Sequence, residues 1–384
     1  MRFEFAAPAR IVFGAGAVRE VAPAAREFGR RALLVTGRSA ERSEWLAAQL
    51  AQAGASCSRF AVEGEPTLEI VQGGVARARE EACDLVIAFG GGSALDAGKA
   101  IAALLTNRGD LMDYVEVIGA GKPLADPSAP FIAVPTTAGT GTEATRNAVL
   151  ASSEHCVKVS LRSPRMLARL AVVDPELTFD LPRDITARTG LDALTQLIEP
   201  YVCARANPLT DGFCVEGLRR VARSLRRAYH DGRDAGARTD MSAAALLSGL
   251  SLANAGLGVV HGFAGPVGGM FPAPHGAICA ALLPQGMEVN IRALRSRSPE
   301  SESLRRYQTV AAILTGNPNA SAADGVAWAA EICRELNIPP LGSYGVTAAH
   351  IPAIVEKAAQ ASSMKANPIA LAREELEEVL ARSI

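Results

Sequence analysis

The sequence has no CxxC pair, no Walker A or GxGxxG loop, no long apolar run and no excess of either charge. Each absence removes a class of function. With 39 basic and 40 acidic residues the formal net charge is −1, so no field is available to hold nucleic acid or an anionic membrane. The basic residues are scattered, apart from Arg219, Arg220, Arg223, Arg226 and Arg227, whose spacing among apolar residues predicts a solvated helix face. The seven cysteines (57, 83, 156, 203, 214, 279, 333) are odd in number. Several sit in apolar surroundings, as in YVCAR and GAICAALL, and they read as reduced core residues of a cytoplasmic protein rather than a disulfide framework. The start, MRFEFAAPARIVFG, lacks the basic end and long apolar stretch of a signal peptide. No segment approaches the ~18 apolar residues of a membrane span. A soluble protein with neither a nucleic-acid nor a membrane partner is expected.

What is present is apolar bulk. Hydrophobic residues make up 49% of 384, a length that suits two domains. In the first half, β-rich runs alternate with Ala-rich helical stretches. RIVFG (10–14), ALLVTG (32–37), SRFAV (58–62), DLVIAFGG (84–91) and FIAVPTT (131–137) read as strands; SEWLAAQLAQAG (43–54) and TLEIVQGGVARARE (67–80) read as helices. Such alternation predicts a parallel sheet wrapped by helices. NAVLAS (147–152) and CVKVSL (156–161) read as an appended hairpin. AVVDPELTFDLP (171–182) reads as a connector and hinge, after which the amphipathic pattern is helical almost throughout. The expectation is an α/β parallel-sheet nucleotide-binding domain over 1–178, an all-α domain over 179–384 and a cleft between them.

Two loops carry phosphate-type chemistry. DLVIAF runs into Gly90, Gly91, Gly92 and Ser93, and a helix follows. Glycines let backbone N–H groups approach an anion, and the helix start aims its positive end at it. Asp96 stands three residues after Ser93, a capping-box-like offset. The second loop, PTTAGTGTEAT (135–145), packs five threonines behind another strand, a hydroxyl density suited to a diphosphate and a ribose or carboxamide. Loops at the carboxyl ends of neighbouring strands mark the usual crevice of an open α/β sheet.

The third feature is a sparse set of metal-type donors. Only five histidines are present, and His261 and His275 bracket one Gly/Pro-rich stretch, VVHGFAGPVGGMFPAPHG, read here as a loop. His155, His230 and His350 read as surface or structural. Upstream, DALTQLIEP places Asp192 and Gln196 one helical turn apart. Two imidazoles and a carboxylate suit Zn²⁺ or Fe²⁺ with a position open to substrate. Gln196 stands where a second helical ligand would complete the pattern.

Together, IVFGAG, GGGSALDAGKA, PTTAGTGTEAT, CVKVSLRSP, VVDPEL, GLDALTQLIEPYV and HGFAGP…PHG resemble the iron-containing (group III) alcohol dehydrogenase family, in family order from residue 11 to about 276. The resemblance implies a dehydroquinate synthase-like architecture, NADP or NAD bound on the sheet domain and one divalent metal, zinc or iron, in the helical half. It implies that Gly91, Gly92, Ser93 and Asp96 hold the diphosphate region, that Thr136, Thr137, Thr140 and Thr145 contact the nicotinamide half, and that Lys158 reaches a ribose. It gives Asp192, His261 and His275 as metal ligands, with Gln196 a candidate fourth donor, and assigns no catalytic group beyond them. Gln196 and Gly265 occupy two positions where the best-known members carry histidine, so weaker metal binding is expected and zinc gains on iron. Gly37, Arg38 and Ser39, where the family places an acid against the adenosine ribose, favour NADP. The implied activity is reversible hydride transfer between an alcohol and its aldehyde or ketone, by a homodimer or larger homo-oligomer. Three other readings stay open from sequence: a dehydroquinate synthase-like lyase, a maleylacetate reductase-like metal-free reductase and a decayed cofactor-binding protein.

Overall fold

The apolar runs of the first half lie side by side in one parallel sheet in the computed structural model, which describes residues 2–384. The strands are β1 (Ile11–Phe13), β2 (Arg31–Thr36), β3 (Ser56–Ala61), β4 (Leu85–Gly90) and β5 (Phe131–Pro135). Between them run α1 (Val21–Phe28), α2 (Glu44–Gln52), α3 (Leu68–Glu80) and α4 (Gly92–Thr106). An antiparallel hairpin of β6 (Asn147–Ser152) and β7 (Val157–Arg162) follows, pairing Asn147 with Arg162 and Ser152 with Val157.

One strand departs from the sequence expectation. Leu170–Val173, the start of what reads as a connector, is β8, and it lies inside the sheet between β1 and β5. Its four residues are all buried, so LAVV has no polar alternation to announce it, and the Asp–Pro directly behind it reads as a breaker. The order is β1-β8-β5-β4-β2-β3, every neighbour parallel. Period-2 geometry sends alternate residues to opposite faces. Leu33, Val35, Val86, Ala88 and Phe131 pack with α3, α4 and the hairpin, while Leu34, Leu85, Ile87, Ile132 and Val134 pack with α1 and α2.

From Arg183 onward the elements are helical: α5 (Arg183–Val202), α6 (Pro208–His230), α7 (Ala235–Asn254), α8 (Val259–Met270), α9 (His275–Arg297), α10 (Glu302–Thr315), α11 (Ala322–Glu335), α12 (Ile351–Ala359) and α13 (Arg373–Ala381). They share one core, including Leu191, Leu194, Leu197, Val221, Phe263, Ile278 and Ile332. The arginine run of α6 is not simply a solvated face. Arg220 and Arg223 clasp Asp240 of α7 at 3.0 and 2.6 Å, and Arg226 reaches Glu331 and Glu335 of α11 at 3.1 and 2.6 Å.

The chain divides into two compact units. One comprises residues 6–137 and 141–178; the other takes in residues 179–384, residues 2–5 and the short segment 138–140. Gly139 shows what its segment requires: a Cβ there would sit 2.6 Å from Thr189 Cβ. Among the described residues no single helix is long and apolar enough to cross a membrane.

The second departure is α8. VVHGFAGPVGGM carries four glycines and a proline in twelve residues, a composition that costs roughly 7 kcal/mol of helix propensity against alanine. Burying Val259, Val260, Phe263 and Val267 contributes roughly 6–12 kcal/mol, and tertiary packing wins. Only 271–274 remain as a link before α9.

Candidate active site

Asp192, Gln196 and Glu199 stand at i, i+4 and i+7 on α5, and so share one face. All three are buried. Gly276, at the start of α9, packs against this helix: a Cβ would lie 2.3 Å from the Arg188 carbonyl oxygen and 3.4 Å from Asp192 Cβ. This close approach brings His275, the first residue of α9, to Asp192. His261 arrives from the first turn of α8, whose amides are satisfied from afar: Val259 N donates to Asn367 Oδ1 at 3.0 Å and Val260 N to Glu199 Oε1 at 2.8 Å.

The result is a convergent donor cluster. Nε2 of His261 and Nε2 of His275 each lie 3.6 Å from Asp192 Oδ1. Cys279 Sγ lies 3.6 Å from His275 Nε2 and 3.8 Å from His261 Nε2. The ligand-type atoms of Asp192, His261, His275 and Cys279 all fall within 4.8 Å of one another. Asp192, His261 and His275 are thus brought together as expected from sequence. Cys279, read there as a core thiol, is buried but faces the cluster, a correction that follows once α9 is seen to begin at His275 and to place the two residues at i, i+4.

Asp192 Oδ1 is buried and has no hydrogen-bond partner. An orphaned carboxylate oxygen facing two imidazole nitrogens is costly on its own, and it fits a cation as its missing partner. The electrostatics agree. Burial opposes charge on both imidazoles, yet Cys279 with Glu199 and Asp192 beside His261, and Cys279 with Asp192 beside His275, hold both above the ordinary histidine range. Burial pushes the Cys279 thiol and the Asp192 carboxyl up, but the two imidazoles hold each below its usual value. The cluster is built to accommodate positive charge.

Gln196 is otherwise engaged. Its Oε1 accepts the Ser248 hydroxyl at 3.1 Å, and its side chain helps hold the Asp192 carboxyl below its usual value. Gly265, the other position of departure, has nothing within 4 Å of where a Cβ would stand. Sequence reasoning missed Glu199, whose signal was an acid seven residues beyond Asp192, on the face of α5 that also carries Gln196. His261 is 6% exposed at its side chain and His275 35%, so the cluster opens on the His275 side.

In the sheet unit, β2, β4 and β5 are neighbours, so the loops at their carboxyl ends form a row. The chain leaves β2 toward β3 and leaves β4 toward β5, in opposite directions, which makes the β2/β4 junction the topological switch point. Gly37, Arg38 and Ser39 follow β2, and Gly91, Gly92, Ser93 and Asp96 open α4. A Cβ at Gly90 would meet Ala94 Cβ at 2.7 Å and Gly37 N at 3.3 Å, so glycine permits the two loops to approach. Gly91 caps α4 with no side-chain hydrogen bond, and residues 91–93 are half-buried. Uncapped amides at a helix start suit a phosphate.

The threonine loop divides. Thr136 and Thr137 follow β5, and Thr137 Cγ2 would touch a Cβ at Gly91 at 3.3 Å. Thr140 belongs to the segment grouped with the helical unit. Thr145 does something else: its hydroxyl accepts Lys99 Nζ at 2.8 Å and lies 3.2 Å from Thr142 O. Lys99, fully buried and unremarked in the sequence, also donates to the carbonyls of Thr142, Thr145 and Asn147 at 2.6–2.9 Å. It holds the loop from beneath. Lys158, on β7, pairs with Glu65 at 3.0 Å and is 5% exposed.

Comparison with known proteins completes the reading. Residues 8–175 match the family described as iron-containing alcohol dehydrogenase, and residues 186–384 match the C-terminal part of the Fe-containing alcohol dehydrogenase family. The chain belongs to the iron-containing alcohol dehydrogenase family. It is 35% identical over 379 residues, 95% of each chain, to the 1,3-propanediol dehydrogenase of Klebsiella pneumoniae. The crystal structure of a 1,3-propanediol oxidoreductase superposes with a TM-score of 0.92 at 32% identity, covering all of both chains. Sulfoacetaldehyde reductase from Bifidobacterium kashiwanohense, solved with NAD⁺, gives 0.86 at 25% identity over 100% and 99% of the two chains. Family membership makes this an oxidoreductase acting on CH–OH groups with a nicotinamide cofactor and a divalent metal.

Proposed function

We propose that the protein interconverts a small alcohol and its aldehyde or ketone, preferring NADP(H), with one divalent ion held by Asp192, His261 and His275. The observation that carries this is the buried Asp192 Oδ1, unpartnered and 3.6 Å from two imidazole nitrogens. Bound there, the ion supplies Lewis acidity toward the alcohol oxygen, and the nicotinamide supplies the hydride carrier. The chain's own residues do the rest. Glu199 fixes the ring of His261 through Nδ1 at 2.6 Å, leaving Nε2 for the ion. Gln196 and Ser248 orient Asp192 from behind. Residues 91–93, with Thr136 and Thr137, are assigned to the cofactor's phosphates and nicotinamide half.

The NADP preference rests on Arg38 and Ser39, exposed just after β2 with no acid between Thr36 and Ala40. A guanidinium pairs well with a 2′-phosphate. The retained Asp192, His261 and His275, which converge on one point, favour the dehydrogenase over a metal-free or decayed protein. A homodimer or larger assembly and a cytoplasmic location complete the proposal, the latter on the mostly buried, unbridged cysteines.

The test is metal analysis of the purified protein beside a reductase screen with NADPH and NADH over varied aldehydes and ketones. One ion per chain and NADPH-linked turnover are expected. A chelator-treated protein that keeps full activity would overturn the assignment.

A further inference from the structure

We infer that Cys279 is a ligand of the divalent ion and supplies the donor that Gln196 does not. This rests on the reading of Asp192, His261 and His275 as metal ligands and deepens it. The geometry is the argument. A tetrahedral zinc with bonds of its usual lengths to nitrogen, oxygen and sulfur separates its ligand atoms by roughly 3.3–3.6 Å. Four of the six edges among Asp192 Oδ1, His261 Nε2, His275 Nε2 and Cys279 Sγ measure 3.6, 3.6, 3.6 and 3.8 Å, and none exceeds 4.8 Å.

Gln196 is spent elsewhere, since its carbonyl oxygen accepts from Ser248 at 3.1 Å. It is a positioning residue. Cys279 is different from the chain's other buried thiols. Cys203 and Cys333 each donate to a backbone carbonyl at 3.3 Å, as a small apolar residue with a weak donor does. Cys279 instead points its sulfur at two ring nitrogens. Its place is fixed by the close packing of Gly276 on the Arg188 carbonyl, one turn before it.

The chemistry follows from the donor set. One carboxylate and one thiolate balance the charge of a divalent ion, with two neutral imidazoles beside them. Thiolate with imidazole selects zinc over iron, so the ion preference of this chain is set by residue 279. With four protein donors, substrate would enter as a fifth ligand, a coordination number that catalytic zinc sometimes reaches in the transition state.

The experiment uses the full-length protein, stripped with a chelator and reloaded with zinc or with cobalt(II). X-ray absorption at the zinc edge is expected to show one sulfur at about 2.3 Å, with no substitution needed. The cobalt form is expected to show a sulfur-to-cobalt charge-transfer band in the near ultraviolet. That band is lost in Cys279→Ser and Cys279→Ala and kept in Gln196→Ala. Zinc affinity of the cysteine variants falls by roughly 10–100-fold or more. One ion per chain with only nitrogen and oxygen neighbours, or a band that survives in Cys279→Ser, overturns the role of Cys279 and leaves the three-ligand site standing. Failure of the unmodified protein to take up either ion overturns the metal reading itself.

Discussion

Glu199 serves two masters: its Oε2 lies 2.6 Å from His261 Nδ1 while its Oε1 accepts the amide of Val260 at 2.8 Å. One carboxylate therefore sets both the start of α8 and the ring orientation of its histidine. Glu199→Gln is expected to leave the fold intact and to weaken zinc binding by roughly 10–100-fold. Competition against a chromophoric chelator measures this. An unchanged affinity would mean that something else orients His261.

Two glycines near the site should respond in opposite ways. At Gly276 a methyl group would strike the backbone oxygen of Arg188 at 2.3 Å, so Gly276→Ala must push α9 from α5 and separate His275 from Asp192. Loss of bound metal and a lowered unfolding temperature are expected. At Gly265, inside α8, the same methyl meets nothing within 4 Å, and Gly265→Ala should stabilise the protein by about 0.5–1 kcal/mol. Thermal unfolding of the pair of variants distinguishes the two environments.

Glu143 of the threonine loop and Lys99 beside it give the sheet unit a pH signature. Burial pushes the Glu143 carboxyl from 4.5 up to about 7, against its own backbone hydrogen bond and Lys99. Between those values the folded protein keeps a proton that the unfolded chain has lost, so stability falls as pH rises through that window. Burial lowers Lys99 from 10.5 to about 8. There the unfolded chain holds the extra proton, so the Lys99 contribution runs the other way and lies above pH 8. Glu143→Gln should flatten the acid-side slope and, by removing a carboxylate that favours the Lys99 ammonium, lower the Lys99 titration further. Hydrogen exchange of α4 amides at pH 5 and pH 7 checks it, and an unaltered slope would assign the titration elsewhere.

The proposed preference for NADP(H) rests on the loop after β2. Arg38→Asp is expected to cut kcat/KM with NADPH by roughly 10–100-fold, the worth of a hydrogen bond to a charged group, and to spare NADH. Equal losses with both cofactors would place Arg38 outside the 2′-phosphate contact.

The sheet and its hairpin were legible because period and glycine placement are local signals, and Asp192 was grouped with His261 and His275 through the closeness of the two histidines and the family resemblance. What escaped is what depends on distant partners. Leu170–Val173 is too short and too uniformly apolar to declare itself a strand, and only its neighbours β1 and β5 make it one. Val259–Met270 looks like a loop because its helix is secured by Phe263, Asn367 and Glu199 rather than by propensity. Cys279 looked like core because its relation to His275 exists only once α9 starts at that histidine. Lys99 sat in plain view in GGGSALDAGKA, but its acceptors lie 43 to 48 residues away.

The Asn367 side chain carries a last consequence. Its Oδ1 receives the first amide of α8, and its amide reaches Asn290 Oδ1 at 2.7 Å on α9. The two helices bearing His261 and His275 are thus tied by a residue 108 positions beyond Val259. During synthesis the knot cannot be drawn until residue 367 has emerged, so a nascent chain already displaying every histidine and acid of the cluster still lacks the fastening that holds them in register.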